Sequence, residues 1–134
     1  LSHSVLAGNG TGPCQVDAGF AITLSSDGYN FADGPGCNLE SGGSNLDPSA
    51  DPLLGPLQRP AGSFTAYYRP QPGSALVDAG SQVVGGAGCL AQDQRGVARA
   101  IDGDGNGSER CDVGAIEREF EVLGDALFSD GFED

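Results

Sequence analysis

Apolar and polar positions alternate along this chain only in short bursts, each closed by glycine, proline or asparagine. Leu1, His3 and Val5 fall on one side of the opening stretch and Ser2 and Ser4 on the other, before a corner at Gly8-Asn9-Gly10. Residues 20–24 predict a second strand that ends at the turn Asp27-Gly28. Residues 32–52 are polar and read as a long surface loop. Leu53, Leu54 and Leu57 form an apolar cluster broken by Gly55-Pro56, and Phe64, Ala66 and Tyr68 alternate with Ser63, Thr65 and Tyr67. Two more strands are predicted, one over 74–80 and one over 113–117. Residues 115–123 suit about two helical turns, and no helix of ordinary length is expected. Short strands at tight corners fit a parallel β-solenoid or a sandwich, which periodicity alone does not separate.

Composition narrows the class. The 134 residues suit one domain, with 23 Gly and 8 Pro favouring corners over helices. A chain of this size buries roughly two thirds of the surface its unfolded form exposes. The net charge is −13, and all six basic residues are Arg. Such a chain repels phosphate backbones and anionic lipid surfaces, so nucleic acid is not an expected partner. No apolar run is long enough to insert in a membrane. The chain opens on Leu1 without a visible signal peptide, so a longer, exported precursor is expected.

Four Cys without Cys-x-x-Cys spacing read as two disulfides and place the protein outside the cytoplasm. Three pairings are possible. Proximity favours Cys14–Cys37 and Cys89–Cys111, each closing a loop of about 22–23 residues and stabilising by roughly 3 kcal/mol.

The segment "DGDGNGSERCDVGA" holds the sharpest candidate chemistry. Asp102, Asp104 and Asn106 alternate with glycine, a spacing that lets the backbone curl and several oxygens converge on a hard cation. Ser108 can add an oxygen, and Asp112 closes the stretch. An EF-hand would place Glu at its twelfth position, which here is Val113, so a calcium loop of another kind is expected. A plain acidic turn is the competing reading. A second constellation, Asp78, Asp93, Arg95, Arg99 and Glu117, reads as a partly buried polar clamp, because the arginine fork suits carboxylates. His3 is the sole histidine and forms no evident Ser-His-Asp triad. Nothing selects a carboxylate pair among the 19 acids, so catalysis is not the expected role.

Taken in order, "SHSVLAGN", "SSDGYNFADGPGC", "DPLLGPLQRPAGSFTAYYRPQPGSALVDAGS" and "CLAQDQRGVARAIDGDGNGSERCDVGAIE" resemble the C-terminal part of bacterial secreted proteins with a choice-of-anchor Q domain. The closing "LFSDGFED" resembles a tail common on exported proteins of gammaproteobacteria. The resemblance implies an all-β fold, the C-terminal portion of a right-handed parallel β-helix with long disulfide-stapled loops. Residues 1–119 would form that module and 120–134 an acidic tail. The resemblance also implies a bacterial cell-surface or secreted protein; the role expected here is a calcium-stabilised module for surface architecture, adhesion or self-assembly, with a carbohydrate-binding or polysaccharide-degrading β-helix protein as the alternative. Expected partners are cell-surface glycans or further copies met head to tail through Leu127, Phe128 and Phe132 of the tail.

Overall fold

The computed structural model describes residues 1–9, 14, 25–34, 37, 39 and 44–120. Four strands stand among them. β1 (Val5–Leu6) pairs in parallel with β2 (Phe31–Ala32), Val5 opposite Phe31. β3 (Leu54–Gln58) pairs antiparallel with β4 (Tyr67–Pro70), Leu57 opposite Tyr68. The β3–β4 register slips between Leu54 and Leu57, where Gly55-Pro56 sits. Proline lacks the N–H a regular ladder needs, so a bulge is where a strand tolerates it.

The right-handed parallel β-helix is therefore not what this chain forms. A solenoid stacks parallel ladders coil upon coil, and among the described residues the one parallel strand pair is two residues long in a two-stranded sheet. The middle of the chain folds back as an antiparallel hairpin instead. Its glycines explain part of the difference: ten of those described hold positive φ, a conformation that a regular strand does not use. The expected strand over 63–68 shifts to β4, and Phe64 is 95% exposed in the hairpin loop. Residues 75–78 form a turn, with Val77 N–H donating to Ser74 O and Asp78 at φ 53°. Residues 113–115 bend and 113–117 join no ladder, because their donors serve different segments: Val113 N–H reaches Leu76 O and Gly114 N–H reaches His3 O. Residues 115–120 are not helical. The strand expected over 20–24 lies outside the described residues.

Phe31, Leu76 and Val113 form the buried apolar core, flanked by Val5, Tyr29, Leu46 and Leu54. Each large apolar side chain so buried stabilises the fold by about 1.5–3 kcal/mol. Beside the core, Asn30 is fully buried and satisfied. Its Oδ1 accepts Ser4 N–H at 3.0 Å, and its Nδ2 donates to Leu1 O and Gly28 O. Cys14 is bonded to Cys37 and Cys89 to Cys111. Gly80 approaches Cys111 so closely that an added Cβ would lie 2.5 Å from the Cys111 carbonyl oxygen.

Candidate metal centre

The loop over 102–108 is built by side chains that accept its own amides. Asp102 Oδ1 accepts Gly105 N–H at 2.7 Å and Asn106 N–H at 3.1 Å, and its Oδ2 accepts Gly107 N–H at 2.8 Å. Asp104 Oδ1 accepts Asn106 N–H at 2.9 Å. Asn106 Oδ1 accepts Ser108 N–H, and its Nδ2 donates to Asp104 Oδ2, both at 2.8 Å. Aspartate and asparagine favour such turns because a short side chain reaches the backbone two residues on. Gly105 and Gly107, at φ 78° and 89°, supply the left-handed bends the curl needs.

Asp78 docks this loop onto the turn over 75–78. Its carboxylate accepts Gly103 N–H at 3.0 Å and Asp104 N–H at 2.9 Å. Asp78, Asp102 and Asp104 thereby each bring an acid oxygen to one place, all within 4.8 Å of one another. Burial pushes the Asp78 carboxyl above its ordinary range; its amide bonds oppose that, and the neighbouring charges of Asp104 and Asp102 reinforce it. The bond from Gly107 N–H, with those from Gly105 and Asn106, holds the Asp102 carboxyl below its ordinary range. Three carboxylates in this arrangement can hold a metal ion.

Asn106 sits beside the trio, its Nδ2 on Asp104 and its Oδ1 accepting Ser108 N–H. Asp112 is fully buried in the interior. There its Oδ1 accepts Asp78 N–H at 2.8 Å and its Oδ2 accepts Arg118 N–H. Asp78, expected in the polar clamp, is the third member of the acidic trio. The distance in sequence between Asp78 and Asp102 hides this pairing.

Asp112 belongs to a buried polar network that joins the remaining clamp residues. Glu117 Oε2 accepts Asp112 N–H at 3.1 Å, and its Oε1 accepts Ile101 N–H at 3.0 Å. Arg99 forks onto Asp112 O (3.1 Å) and Gly114 O (2.8 Å) and faces Glu117 Oε2 at 3.5 Å. Asp93 Oδ2 accepts Glu117 N–H and both Nε and Nη2 of Arg95. Burial raises the Asp112 carboxyl to about 7, against the amide bonds it accepts and with the Glu117 and Asp78 charges adding to the rise. Burial likewise raises Glu117. For Asp93, burial is outweighed by the bonds from Glu117, Arg95 and Val97, and its carboxyl sits low.

His3 stacks on Tyr29 with ring centroids 4.9 Å apart. Its Nε2 accepts Ser81 N–H at 3.2 Å and its Nδ1 meets Ser2 Oγ at 2.7 Å. Both ring nitrogens are thus occupied, which fixes the Nδ1–H tautomer and leaves neither for a triad carboxylate. An open groove of about 1470 Å³ runs between β1 and the β3–β4 hairpin, and Tyr67, Tyr68, Gln92 and Gln94 line it. Leu127, Phe128 and Phe132, the expected assembly residues, lie outside the described residues.

The two disulfides fit an extracellular setting. Among the described residues no helix is long and apolar enough to cross a membrane. No family model, curated protein or solved structure matches the chain. The resemblance to choice-of-anchor Q proteins rests on its sequence segments alone.

Proposed function

We propose that this chain is a secreted, non-catalytic structural module for surface architecture or adhesion, with calcium as the ion its acidic trio takes. The convergence of Asp78, Asp102 and Asp104 carries the reading. Carboxylate oxygens suit a hard cation, and calcium completes its shell with backbone carbonyls and water. The ion would offset the mutual repulsion of three carboxylates and tie the 102–108 loop to the turn at Asp78. An extracellular site of this kind binds at about 0.1–1 mM. Further support comes from His3, whose occupied nitrogens offer no general base. Melting with 5-fold excess over such an affinity, about 5 mM calcium, against chelator tests the proposal. Calcium should raise the melting temperature, Asp104→Ala should remove the rise, and magnesium should be weaker. Identical curves with calcium and chelator would refute it.

A second reading rests on the groove. Tyr68 is 52% exposed there beside Gln92 and Gln94, a combination of aromatic face and amide that suits a sugar ring. Binding of a glycan panel, lost in Tyr68→Ala and indifferent to chelator, would favour this reading over the first.

A further inference from the structure

We propose that Asn106 is a site of self-catalysed deamidation, with the 102–108 loop supplying the groups that promote it. The reaction joins the Gly107 amide nitrogen to Asn106 Cγ, and four features of the loop bear on it. Gly107 carries no side chain to shield its nitrogen, and an ideal Cβ built there meets nothing within 4 Å. Asn106 and Gly107 are both exposed, so water reaches them. The bond from Ser108 N–H to Asn106 Oδ1, at 2.8 Å, folds the side chain over the Gly107 peptide and polarises the carbonyl under attack. Gly107 N–H itself donates to Asp102 Oδ2 at 2.8 Å, within reach for a general base.

The step balances without an oxidant or a cofactor. As the new C–N bond forms, the Gly107 proton passes to the Asp102 carboxylate and negative charge gathers on Oδ1, facing Ser108 N–H. The Cγ–Nδ2 bond then breaks. The departing nitrogen, held until then against Asp104 Oδ2 at 2.8 Å, takes the proton back and leaves as ammonia. The succinimide that remains adds one water across either of its two imide C–N bonds, leaving aspartate or isoaspartate at position 106. The product places a further carboxylate beside Asp104. Neither the reaction nor its test requires that the acidic trio hold a cation.

The chain contains its own control, because Asn9 is also exposed and also followed by glycine. The full chain is incubated at neutral pH with chelator, native and in denaturant, and peptide mapping by mass spectrometry follows ammonia loss at both positions. In the native protein Asn106 should convert several-fold faster than Asn9, with isoaspartate among the products. In denaturant the two rates should come together. Asp102→Ala, which removes the carboxylate without creating another Asn-Gly pair, should slow Asn106 and leave Asn9 unchanged. Conversion of native Asn106 no faster than that of Asn9, or no faster than its own rate in denaturant, would overturn the proposal. Should Asp102→Ala fail to fold, the native-against-denatured comparison in the unsubstituted chain decides alone.

Discussion

Glu117 and Asp112 are tied through the backbone: the Glu117 carboxylate accepts the Asp112 N–H at 3.1 Å, and both side chains are completely buried. Arg99 faces this pair at 3.5 Å from Glu117, and its fork is shared with two carbonyls. The interior therefore takes two carboxyl groups into low dielectric, with the Arg99 guanidinium against the Glu117 carboxylate and the Asp112 backbone carbonyl.

The first prediction concerns pH. The folded state raises the Asp112 carboxyl from 3.8 to about 7 and raises Glu117 as well, so between those values it binds protons that the unfolded chain releases. Stability from these groups is complete below about pH 4 and is lost as pH rises through 7. At about 1.4 kcal/mol per pH unit, Asp112 alone removes on the order of 4 kcal/mol, a large share of an ordinary domain's total. His3 works in the opposite direction. Burial, then Arg99, lowers its pKa, so its contribution is present above 6.5 and fades as pH falls. The carboxyl effect is the larger, and the melting temperature in chelator should be higher at pH 5 than at pH 8. Asp112→Asn should flatten that slope. A melting temperature that climbs steadily from pH 5 to pH 8 would contradict the assignment.

The second prediction concerns Arg99. Its two terminal nitrogens satisfy Asp112 O and Gly114 O while countering Glu117, a geometry that a lysine ammonium cannot reproduce. Arg99→Ala leaves a buried carboxylate without its cation and should cost about 3–5 kcal/mol. Arg99→Lys should recover only part of that. Arg59, exposed and bonded to Ser63 O, provides the contrast: Arg59→Ala should stay within about 0.5 kcal/mol. Urea midpoints of the three variants decide, and equal midpoints for Arg99→Ala and Arg59→Ala would dismiss the network as a source of stability.

How much of this was legible beforehand depends on distance along the chain. The alternation of Asp102 and Asp104 with glycine showed a curled acidic loop, because that geometry is local. Sequence alone puts Asp78 in the clamp, since only the fold brings its turn to Gly103. Asp112 looked like the end of the loop. Its burial follows from the flanking Val113 and Ile116, both buried, which draw the segment inward. Burial alternates over 74–80 as a strand there requires, and over 113–117 it does not, with Ile116 and Glu117 both buried and Ala115 exposed. The amides of both stretches, however, bond to several separate segments, and alternation reports which side chains are buried without reporting where the amides go. The β-helix expectation failed for the same reason: parallel stacking is a long-range property, and among the described residues the parallel strand ladder pairs just Val5–Leu6 with Phe31–Ala32.

The third prediction concerns the disulfides. Cys89–Cys111 closes a separation of 22 residues and anchors the segment that carries Asp112. Removing it through Cys89→Ala with Cys111→Ala should cost about 2–5 kcal/mol. Because Cys111 N–H also donates to Ser81 O at 3.0 Å, the loss should extend to the 80–81 segment. Hydrogen exchange should show faster exchange at Ser81 and Cys111 than at Phe31. Uniform protection across all three would show that the bridge acts on the unfolded chain alone.

The last prediction concerns Gly80, which has no positive φ to explain it. Its reason is proximity: a Cβ would stand 2.5 Å from Cys111 O and 3.1 Å from His3 Cδ2. At that approach Gly80 N–H donates to Cys111 O at 2.7 Å, and Gly80 O accepts Arg110 Nε and Nη2 at 3.0 and 2.7 Å. Gly80→Ala must push the two backbones apart, because the obstructing atom is a carbonyl oxygen in a disulfide-anchored residue and not the end of a flexible side chain. The displacement would stretch both sets of bonds and move Ser81 from His3 Nε2. Overpacking of this kind costs about 1–3 kcal/mol. The urea midpoint should fall accordingly, and the His3 pKa, followed by NMR, should move back toward 6.5 as the separation of the two segments lets water reach the ring whose pKa burial now holds low. An unchanged midpoint together with an unchanged His3 titration would mean that the two segments do not approach as closely as this contact requires.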